Sequence, residues 1–392
     1  MSASSSGAWM RLTGLAAAAA TLLAVVSGAT GFEHRLLAAL ALPPLVALVL
    51  AGRLARPRLL TPSLVALGLF GAAAIAPGEP LHVALAALAF AGTLVVCAQT
   101  FRGTQVAAGS WRDYATLTKP RIMTLLLLTG ACGMVVGARG LPSLSLFAAT
   151  MGGLALACGG ASALNHVLDA DIDRLMGKRT QKRPVAAGRI EPARALEFGL
   201  TLSAFSFVLL ASAVNVLTAT LALAGNLFYV LVYTRWLKRS TPQNIVIGGA
   251  AGAVPPLVGW AAATGNLGVP ALFLFLIVFF WTPPHFWALA LLIRDSYAAA
   301  KVPMLPVVRG ERETLRQIVG YTLVLIAVTL LPVAWGTFGV GYAAAALALG
   351  GTFLALTLRL KRSPSRPRAS LLFHYSLLYL ALLFVAMAVD VL

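Results

Sequence analysis

The chain has 392 residues, of which 59% are hydrophobic and only 11% are charged. A soluble domain carries about 25% charged residues, so this composition excludes an ordinary soluble protein and indicates a membrane protein. The formal net charge of +18 would suggest a nucleic-acid partner in a soluble chain, but the positions of the basic residues exclude that partner here.

Thirteen apolar segments are predicted to cross the bilayer as helices, each close to the roughly 20 residues that span a hydrocarbon core. Because lipid offers no partners for exposed backbone groups, so many segments predict an all-α polytopic bundle. The alternating pattern of an outer-membrane barrel does not occur in the sequence. The predicted segments are residues 9–30, 36–51, 62–77, 82–101, 122–138, 144–164, 196–213, 217–233, 244–262, 270–293, 318–335, 341–358 and 371–390.

Every second connection between these segments is basic. Of the 30 Lys and Arg residues, all but Arg35 and Arg139 fall on one predicted side of the membrane. By the positive-inside rule this side is cytoplasmic, which places the N-terminus inside and the C-terminus outside the cell inner (plasma) membrane. The first segment has only Arg11 before its apolar run, so we expect it to be retained as a helix and not cleaved as a secretory signal.

The sequence divides into two regions. Residues 1–104 are rich in Ala and Leu and form four predicted spans with few polar residues inside them. Residues 105–392 hold nine predicted spans and nearly all of the notable polar sequence. Two long charged connections, 165–195 and 294–317, lie on the cytoplasmic side, and loops of that length in a compact bundle usually have a function.

The first polar constellation follows the predicted span 144–164. Asn165, Asp169 and Asp173 are each four residues apart, so on a helix they line one face. Carboxylates this close repel each other unless a cation lies among them, and such oxygen ligands suit Mg²⁺. A solvated loop is the simpler interpretation of the basic residues that follow, but together with the acids they predict a diphosphate site. These residues are Lys178, Arg179, Lys182 and Arg183.

A second constellation lies near the end of the predicted span 270–293. The pair Pro283 and Pro284 is predicted to break this span and to free backbone carbonyls that line a cavity. His285 follows directly, and both a buried hydrogen-bonding role and a contact with a ligand are open to it. Asp295, at the predicted cytoplasmic end, is a candidate second ligand for the metal or the diphosphate.

A third constellation surrounds Lys238. Its ammonium group is suited to bind a phosphate as a point charge, and the alternative role is to anchor the end of a helix. Small residues at Gly248, Gly249 and Gly252 permit close helix packing or leave room for a bulky ligand.

Together these stretches resemble the UbiA-type intramembrane prenyltransferase superfamily and, within it, the heme O synthase (protoheme IX farnesyltransferase) family. The pattern N-x-x-x-D-x-x-x-D, followed by R-T-x-x-R-P, stands here as Asn165, Asp169 and Asp173 with residues 179–184. The other matching motifs are Tyr233-Thr234 with Leu237-Lys238-Arg239, and residues 244–249, 281–290 and 303–308. The resemblance covers about residues 113–391 and implies a nine-helix core, here preceded by about four extra N-terminal helices.

The resemblance implies that a farnesyl group passes from farnesyl diphosphate to the 2-vinyl group of protoheme IX (heme B), giving heme O for terminal oxidases. It implies Mg²⁺ as a cofactor bound with the diphosphate. The expected metal ligands are Asn165, Asp169, Asp173 and Asp295, and the three acids among them are the expected catalytic residues. The expected substrate-binding residues are Arg179, Lys182, Arg183, Lys238, His285 and Tyr297. Ser296 stands where relatives often have an acid, so the second half of the metal site rests on Asp295 alone.

Residues 1–104 lie outside this resemblance. They are similar to part of heme A synthase, the enzyme of the next step and a candidate partner, with His34 and His82 near predicted span ends on the outer side. Because two histidines are few for a heme site, a structural extension is the favoured alternative.

The two alternative functions are a quinone-type prenyltransferase and a secondary transporter. A prenyltransferase of the same fold acting on a quinone precursor is opposed by the motifs within residues 244–308. A secondary transporter usually has its ionisable site near the midplane and repeated halves, whereas here the acids follow the cytoplasmic end of a span and the sequence shows no clear halves.

Overall fold

The computed structural model describes residues 3–26, 40–50, 59–75, 79–100 and 109–392. Within these ranges the chain forms helices and no β-sheet. In chain order the helices are α1 (Ala3–Val26), α2 (Leu40–Leu50), α3 (Leu60–Ile75), α4 (Glu79–Thr100), α5 (Trp111–Leu117), α6 (Pro120–Ala138), α7 (Leu144–Leu168), α8 (Ala170–Leu175), α9 (Lys178–Gln181), α10 (Pro192–Ala213), α11 (Val216–Leu227), a π-helix (Phe228–Leu237), α12 (Lys238–Ser240), α13 (Asn244–Gly252), α14 (Val254–Thr264), α15 (Val269–Leu292), α16 (Arg294–Ala299), α17 (Leu305–Val308), α18 (Gly310–Ala334), α19 (Val340–Arg362) and α20 (Arg366–Asp390).

The predicted all-helical, multi-pass membrane bundle is confirmed. In the described parts of the chain, nine helical stretches are long and apolar enough to cross a membrane, and all nine lie after residue 119. Two of these stretches, Val216–Ser240 and Asn244–Thr264, each join consecutive helices. The two long charged connections, 165–195 and 294–317, contain the short helices α8 and α9, and α16 and α17.

Close packing of α6 against α14 depends on glycine. A Cβ atom on Gly259 would clash with the carbonyl oxygen of Gly130, and one on Gly133 would clash with that of Pro256. Helices in lipid approach one another through such small residues because burial from water does not drive their association. Helix α7 packs along α10, where Ser206 Oγ donates a hydrogen bond of 2.6 Å to the carbonyl of Gly153.

The N-terminal helices pack against the core. Helix α4 contacts α1 and α3 on one side and α10 on the other. Phe90 on α4 and Val208 on α10 are both buried in one apolar cluster. The predicted boundary at residues 104 and 105 lies outside the described residues, so the division of the chain into two regions stays a prediction.

The prediction that Pro283 and Pro284 break a span is wrong. Both prolines lie inside α15, which runs without interruption from Val269 to Leu292. Pro residues remove backbone donors, but neighbouring groups in a bundle can make up for the loss. Here the carbonyls left without a helical donor are those of Phe279 and Phe280, and packing of α15 between α18 and α20 keeps the helix continuous.

Candidate functional site

Asn165, Asp169 and Asp173 lie at the junction of α7 and α8. Helix α7 ends at Leu168, and Asp169 connects it to α8. Backbone hydrogen bonds from Asp169 N to Asn165 O (2.9 Å) and from Asp173 N to Asp169 O (2.8 Å) continue the helical spacing across this junction. The three side chains, all at most 3% exposed, therefore keep the four-residue spacing that places them along one face.

In each of the two carboxylates, Asp169 and Asp173, one oxygen forms an ion pair and the other has no partner. Asp169 Oδ2 forms an ion pair of 2.5 Å with Lys238 Nζ, and Asp173 Oδ1 one of 2.6 Å with Arg183. The second oxygen of each carboxylate, Asp169 Oδ1 and Asp173 Oδ2, is buried and has no hydrogen-bond partner. Burial raises the pKa of Asp173, and the charge of Arg183 opposes this shift. Buried carboxylate oxygens without a partner are costly, so they make this a site for a further cation.

Asn165 links three parts of the chain. Its Oδ1 accepts a hydrogen bond of 2.7 Å from Lys119, and its Nδ2 donates to Asp169 (2.8 Å) and to Thr234 (3.1 Å). Lys119 has a left-handed backbone conformation (φ 50°), which disfavours a residue with a side chain, and it turns the chain into α6. Burial, followed by the charge of Arg183, lowers the pKa of Lys119 to about 7.

The site thus assembles cations and anions that are distant in sequence. Lys119, Arg183 and Lys238 surround Asp169 and Asp173. Three basic side chains therefore face two carboxylates, an arrangement that suits an anionic ligand held together with a metal ion. No cluster of three His, Cys, Asp or Glu side chains that could hold a metal occurs in the described ranges, so oxygen ligands for a hard ion would include the amide of Asn165.

Arg239 supports this junction from outside. It binds both oxygens of Asp171 at 2.7 Å and the carbonyl of Leu168 at 2.6 Å. Asp171 points away from the face of Asn165, Asp169 and Asp173, and its side chain is 63% exposed. The carbonyl of Leu168 belongs to the last turn of α7, where backbone oxygens have no intrahelical partner, so Arg239 caps the end of α7.

The remaining predicted basic residues contribute less. The side chain of Lys182 is exposed, and its backbone carbonyl accepts a hydrogen bond of 2.9 Å from Arg189. The side chain of Arg179 lies outside the described part of the structure. Both roles in substrate binding stay predictions.

Helix α16 carries both Asp295 and Tyr297. Residues two apart on a helix point about 200° away from each other, so they cannot face the same ligand. The charges of Arg183 and Asp169 act on the hydroxyl of Tyr297, and burial raises its pKa to about 12. Asp295 is exposed and lines a separate cleft near the ends of α15, α18 and α20. The structure brings Tyr297 to the acids and does not bring Asp295, whose role as a ligand stays a prediction.

His285 lies between α15 and α20. Its ring stacks on Trp281 (4.4 Å between centroids) and on Phe373 (4.8 Å). Its Nδ1 makes a hydrogen bond of 2.6 Å with Ser376, and the residue is only 6% exposed. A substrate contact by His285, which stays a prediction, would therefore have to use Nε2. For the N-terminal histidines, His34 lies outside the described residues, and His82 Nδ1 bonds the carbonyl of Ala73 at 2.6 Å.

Sequence reasoning missed several residues at the site. Lys119 reads as an anchor at the start of a span, and nothing in the sequence connects it with Asn165, which is 46 positions away. Thr234 was noted only as part of a motif. His166 is 2% exposed, and neither of its ring nitrogens has a hydrogen-bond partner. In the sequence it is one residue beside Asn165, with no separate signal of its own.

The comparisons with known proteins concern the family and the fold. A model of the UbiA prenyltransferase family matches residues 126–383. A protoheme IX farnesyltransferase of Roseiflexus sp. (strain RS-1) is 54% identical over 279 residues, which is 71% of this chain and 52% of that protein. The protoheme IX farnesyltransferase of Symbiobacterium thermophilum is 55% identical over 282 residues, 71% of this chain and 94% of that protein. The chain thus spans about half the length of the first relative and nearly all of the second.

Among solved structures, a UbiA homolog from Archaeoglobus fulgidus bound to GPP and Mg²⁺ superposes with a TM-score of 0.54. It is 19% identical, and the match covers 70% of this chain and 99% of that one. At this identity the likeness concerns the fold alone.

Proposed function

The chain belongs to the UbiA prenyltransferase family, and from that premise we propose that it transfers a farnesyl group from farnesyl diphosphate to the 2-vinyl group of protoheme IX. The observation that carries the proposed chemistry is the pair of buried carboxylates, Asp169 and Asp173, each with one oxygen paired to a cation and the other without a partner. The names of the relatives that are 54% and 55% identical support protoheme as the acceptor.

The residues present fit Mg²⁺. Asp169 Oδ1 and Asp173 Oδ2 have no partner in the described structure, and carboxylate and amide oxygens are the ligands this ion prefers. Asp169, Asp173 and Asn165 would hold it, and Asp295 would join them only if α16 turned its other face toward the site. When bound, Mg²⁺ supplies positive charge that makes the diphosphate a better leaving group.

Three cations of the chain are placed to bind the diphosphate. Lys238 and Arg183 now neutralise the carboxylates, and Lys119 occupies the amide oxygen of Asn165. When another cation pairs with the acids, these side chains are free to turn to phosphate oxygens close by. Positive groups fixed where negative charge develops lower the barrier of the reaction. Arg179 and Lys182, on the same loop, are proposed to add to this binding, and Tyr297 to contact the substrate.

The proposed reaction breaks one C–O bond, the π bond of the vinyl group and one O–H bond of water, and it forms one C–C and one C–O bond. The C1–O bond of farnesyl diphosphate breaks, and both electrons leave with the diphosphate. The π electrons of the heme vinyl group form a C–C bond with the resulting allylic cation. A water molecule then adds to the cation left on the vinyl carbon and releases one proton, which gives the hydroxyethylfarnesyl side chain of heme O. The buried position of the acids keeps bulk water away until that last step.

The membrane setting fits this chemistry because the farnesyl chain is apolar and can lie among the spans. We propose that residues 105–392 carry the activity, that residues 1–104 are a structural membrane extension, with a heme A synthase-like remnant as the alternative, and that heme A synthase receives the product. We also propose that the protein lies in the plasma membrane with its N-terminus in the cytoplasm. In intact cells, a membrane-impermeant thiol reagent should then label Arg139→Cys and should not label Ser363→Cys.

The test of the proposed function is heme analysis of membranes from a host that makes no farnesylated heme. We would express the wild type, Asp169→Ala and the matched control Asp171→Ala, extract the hemes and identify them by liquid chromatography and mass spectrometry. We expect heme O from the wild type and from Asp171→Ala, and at least about 100-fold less from Asp169→Ala. Addition of EDTA to purified wild-type protein should have the same effect as Asp169→Ala.

Other outcomes would contradict separate parts of the proposal. If the wild type leaves protoheme unchanged while a prenylated quinol precursor accumulates, the acceptor is wrong and the family assignment stands. If Asp169→Ala still produces heme O, the acid site is wrong.

A further inference from the structure

The widened helical segment between α11 and α12 presents two tyrosines together. Residues Phe228–Leu237 form a π-helix, in which Thr234 Oγ1 bonds the carbonyl of Tyr229 five positions earlier at 2.9 Å. The rings of Tyr229 and Tyr233 are stacked, with centroids 5.5 Å apart and planes 27° from parallel. Ten residues of π-helix are rare, and π-helical turns occur frequently at functional sites.

These rings lie next to the acid site. The same segment places Thr234 against Asn165 and Lys238 against Asp169. Tyr233 directly precedes Thr234 on this segment, and Tyr229 lies about one turn earlier. Both tyrosines therefore border the place where the leaving group is proposed to depart.

The two rings are fixed in place but not fully enclosed. Tyr233 lies so close to Gly248 that a Cβ atom on that glycine would clash with the ring. Tyr229 packs against the buried residues Ala161 and Val230. Both tyrosines are nevertheless only half-buried, so part of each ring remains open to a ligand.

We propose that the ring faces of Tyr229 and Tyr233 bind the allylic cation and hold it until the acceptor attacks. This inference rests on the proposed function, since it names the groups that contact the substrate after ionisation. An aromatic face attracts a cation through its quadrupole and offers no lone pair that would capture it, unlike a carboxylate or water.

The test compares removal of the hydroxyl with removal of the ring. We expect Tyr229→Phe and Tyr233→Phe to keep single-turnover release of diphosphate within about threefold of wild type, because the ring remains. We expect Tyr229→Leu and Tyr233→Leu each to slow it by about 10-fold or more. In a second assay with protoheme present, both Leu variants should raise the share of farnesol, the water-quenched product. Binding of an unreactive farnesyl thiodiphosphate, measured separately, should be unchanged in all four variants, because it carries no cation.

A series of variants with increasing ring fluorination makes the test independent of folding. Replacement of Tyr233 by phenylalanines with one, two and three ring fluorines weakens the quadrupole with little change of shape. The logarithm of the ionisation rate should fall in steps with fluorination. The control is Tyr375→Leu, a half-buried tyrosine on α20 whose hydroxyl bonds the carbonyl of Leu349, and which should leave the ionisation rate unchanged.

The inference is overturned if the Leu variants ionise substrate as fast as the Phe variants, or if fluorination has no effect. It is also overturned if the Leu variants lose binding of the thiodiphosphate in proportion to rate. A wild type that releases diphosphate but prenylates another acceptor would contradict the proposed substrate and leave this comparison valid, since the ionisation step is measured without the acceptor.

Discussion

Lys119 and Asn165 are joined by a hydrogen bond of 2.7 Å between the ammonium group and the amide oxygen. Lys119 therefore occupies the oxygen that Asn165 is proposed to offer to a metal, and its charge lies among the groups that bind the ion. We therefore expect the lysine and the proposed metal to compete for one ligand in the absence of substrate. When a diphosphate is present, the lysine can serve the phosphate and the competition ends.

The first prediction concerns this competition. Lys119→Met should bind Mn²⁺, as a probe for Mg²⁺, more tightly than wild type when no diphosphate is present, because one nearby positive charge is lost. The same variant should bind a farnesyl thiodiphosphate about 10-fold more weakly, since it loses a charge-assisted contact. Both affinities can be measured on detergent-solubilised protein by electron paramagnetic resonance and calorimetry. Arg121→Met, an exposed charge two positions away, is the control, and equal effects of the two variants would refute the prediction.

The second prediction concerns the ion pair between Arg239 and Asp171. Asp171 is exposed, so its ion pair contributes little, and Asp171→Ala should lower the free energy of unfolding by no more than about 1 kcal/mol. Arg239→Ala should cost more, because it also leaves the carbonyl of Leu168 at the end of α7 without its donor. Thermal unfolding in detergent gives the order of the two variants. The capping role of Arg239 is wrong if Asp171→Ala is the more damaging change.

The third prediction tests the close contact of α6 and α14. Gly259→Ala should destabilise the protein by about 3 kcal/mol or more, because the new methyl group meets backbone of Gly130 that cannot move aside. Gly252→Ala, at a position with open space around it, is the matched control and should be tolerated. The yield of folded protein by size-exclusion chromatography separates the two. A normal yield of Gly259→Ala would show that the two helices can move apart.

The fourth prediction separates the two roles of His285. Ser376→Ala removes the partner of Nδ1 and should lower stability by about 1–3 kcal/mol, with the KM for protoheme unchanged. His285→Phe keeps the stacking on Trp281 and Phe373 but loses Nε2, and we expect the KM for protoheme to rise about 10-fold if Nε2 binds the substrate as proposed. An unchanged KM in both variants would assign His285 to packing between α15 and α20 alone.

The sequence by itself determined the membrane bundle and the acids. Apolar segments must form helices in lipid, whatever their neighbours, so the nine core spans follow from composition alone and the described helices agree with them. The four-residue spacing of Asn165, Asp169 and Asp173 is equally local, because backbone hydrogen bonds of one helical turn connect them. Local rules erred at Pro283 and Pro284, where packing against neighbouring helices keeps α15 continuous.

Only the tertiary structure decided which side chains meet the acids. Lys119, Thr234 and Lys238 reach Asn165 and Asp169 from positions 46 to 69 residues away, and no local pattern encodes such contacts. The choice of Tyr297 over Asp295 depends on the rotation of a six-residue helix, which its neighbours set and its own sequence does not. The spacing of residues along one helix follows from the repeat of that helix, whereas the approach of separate helices depends on the packing of all of them.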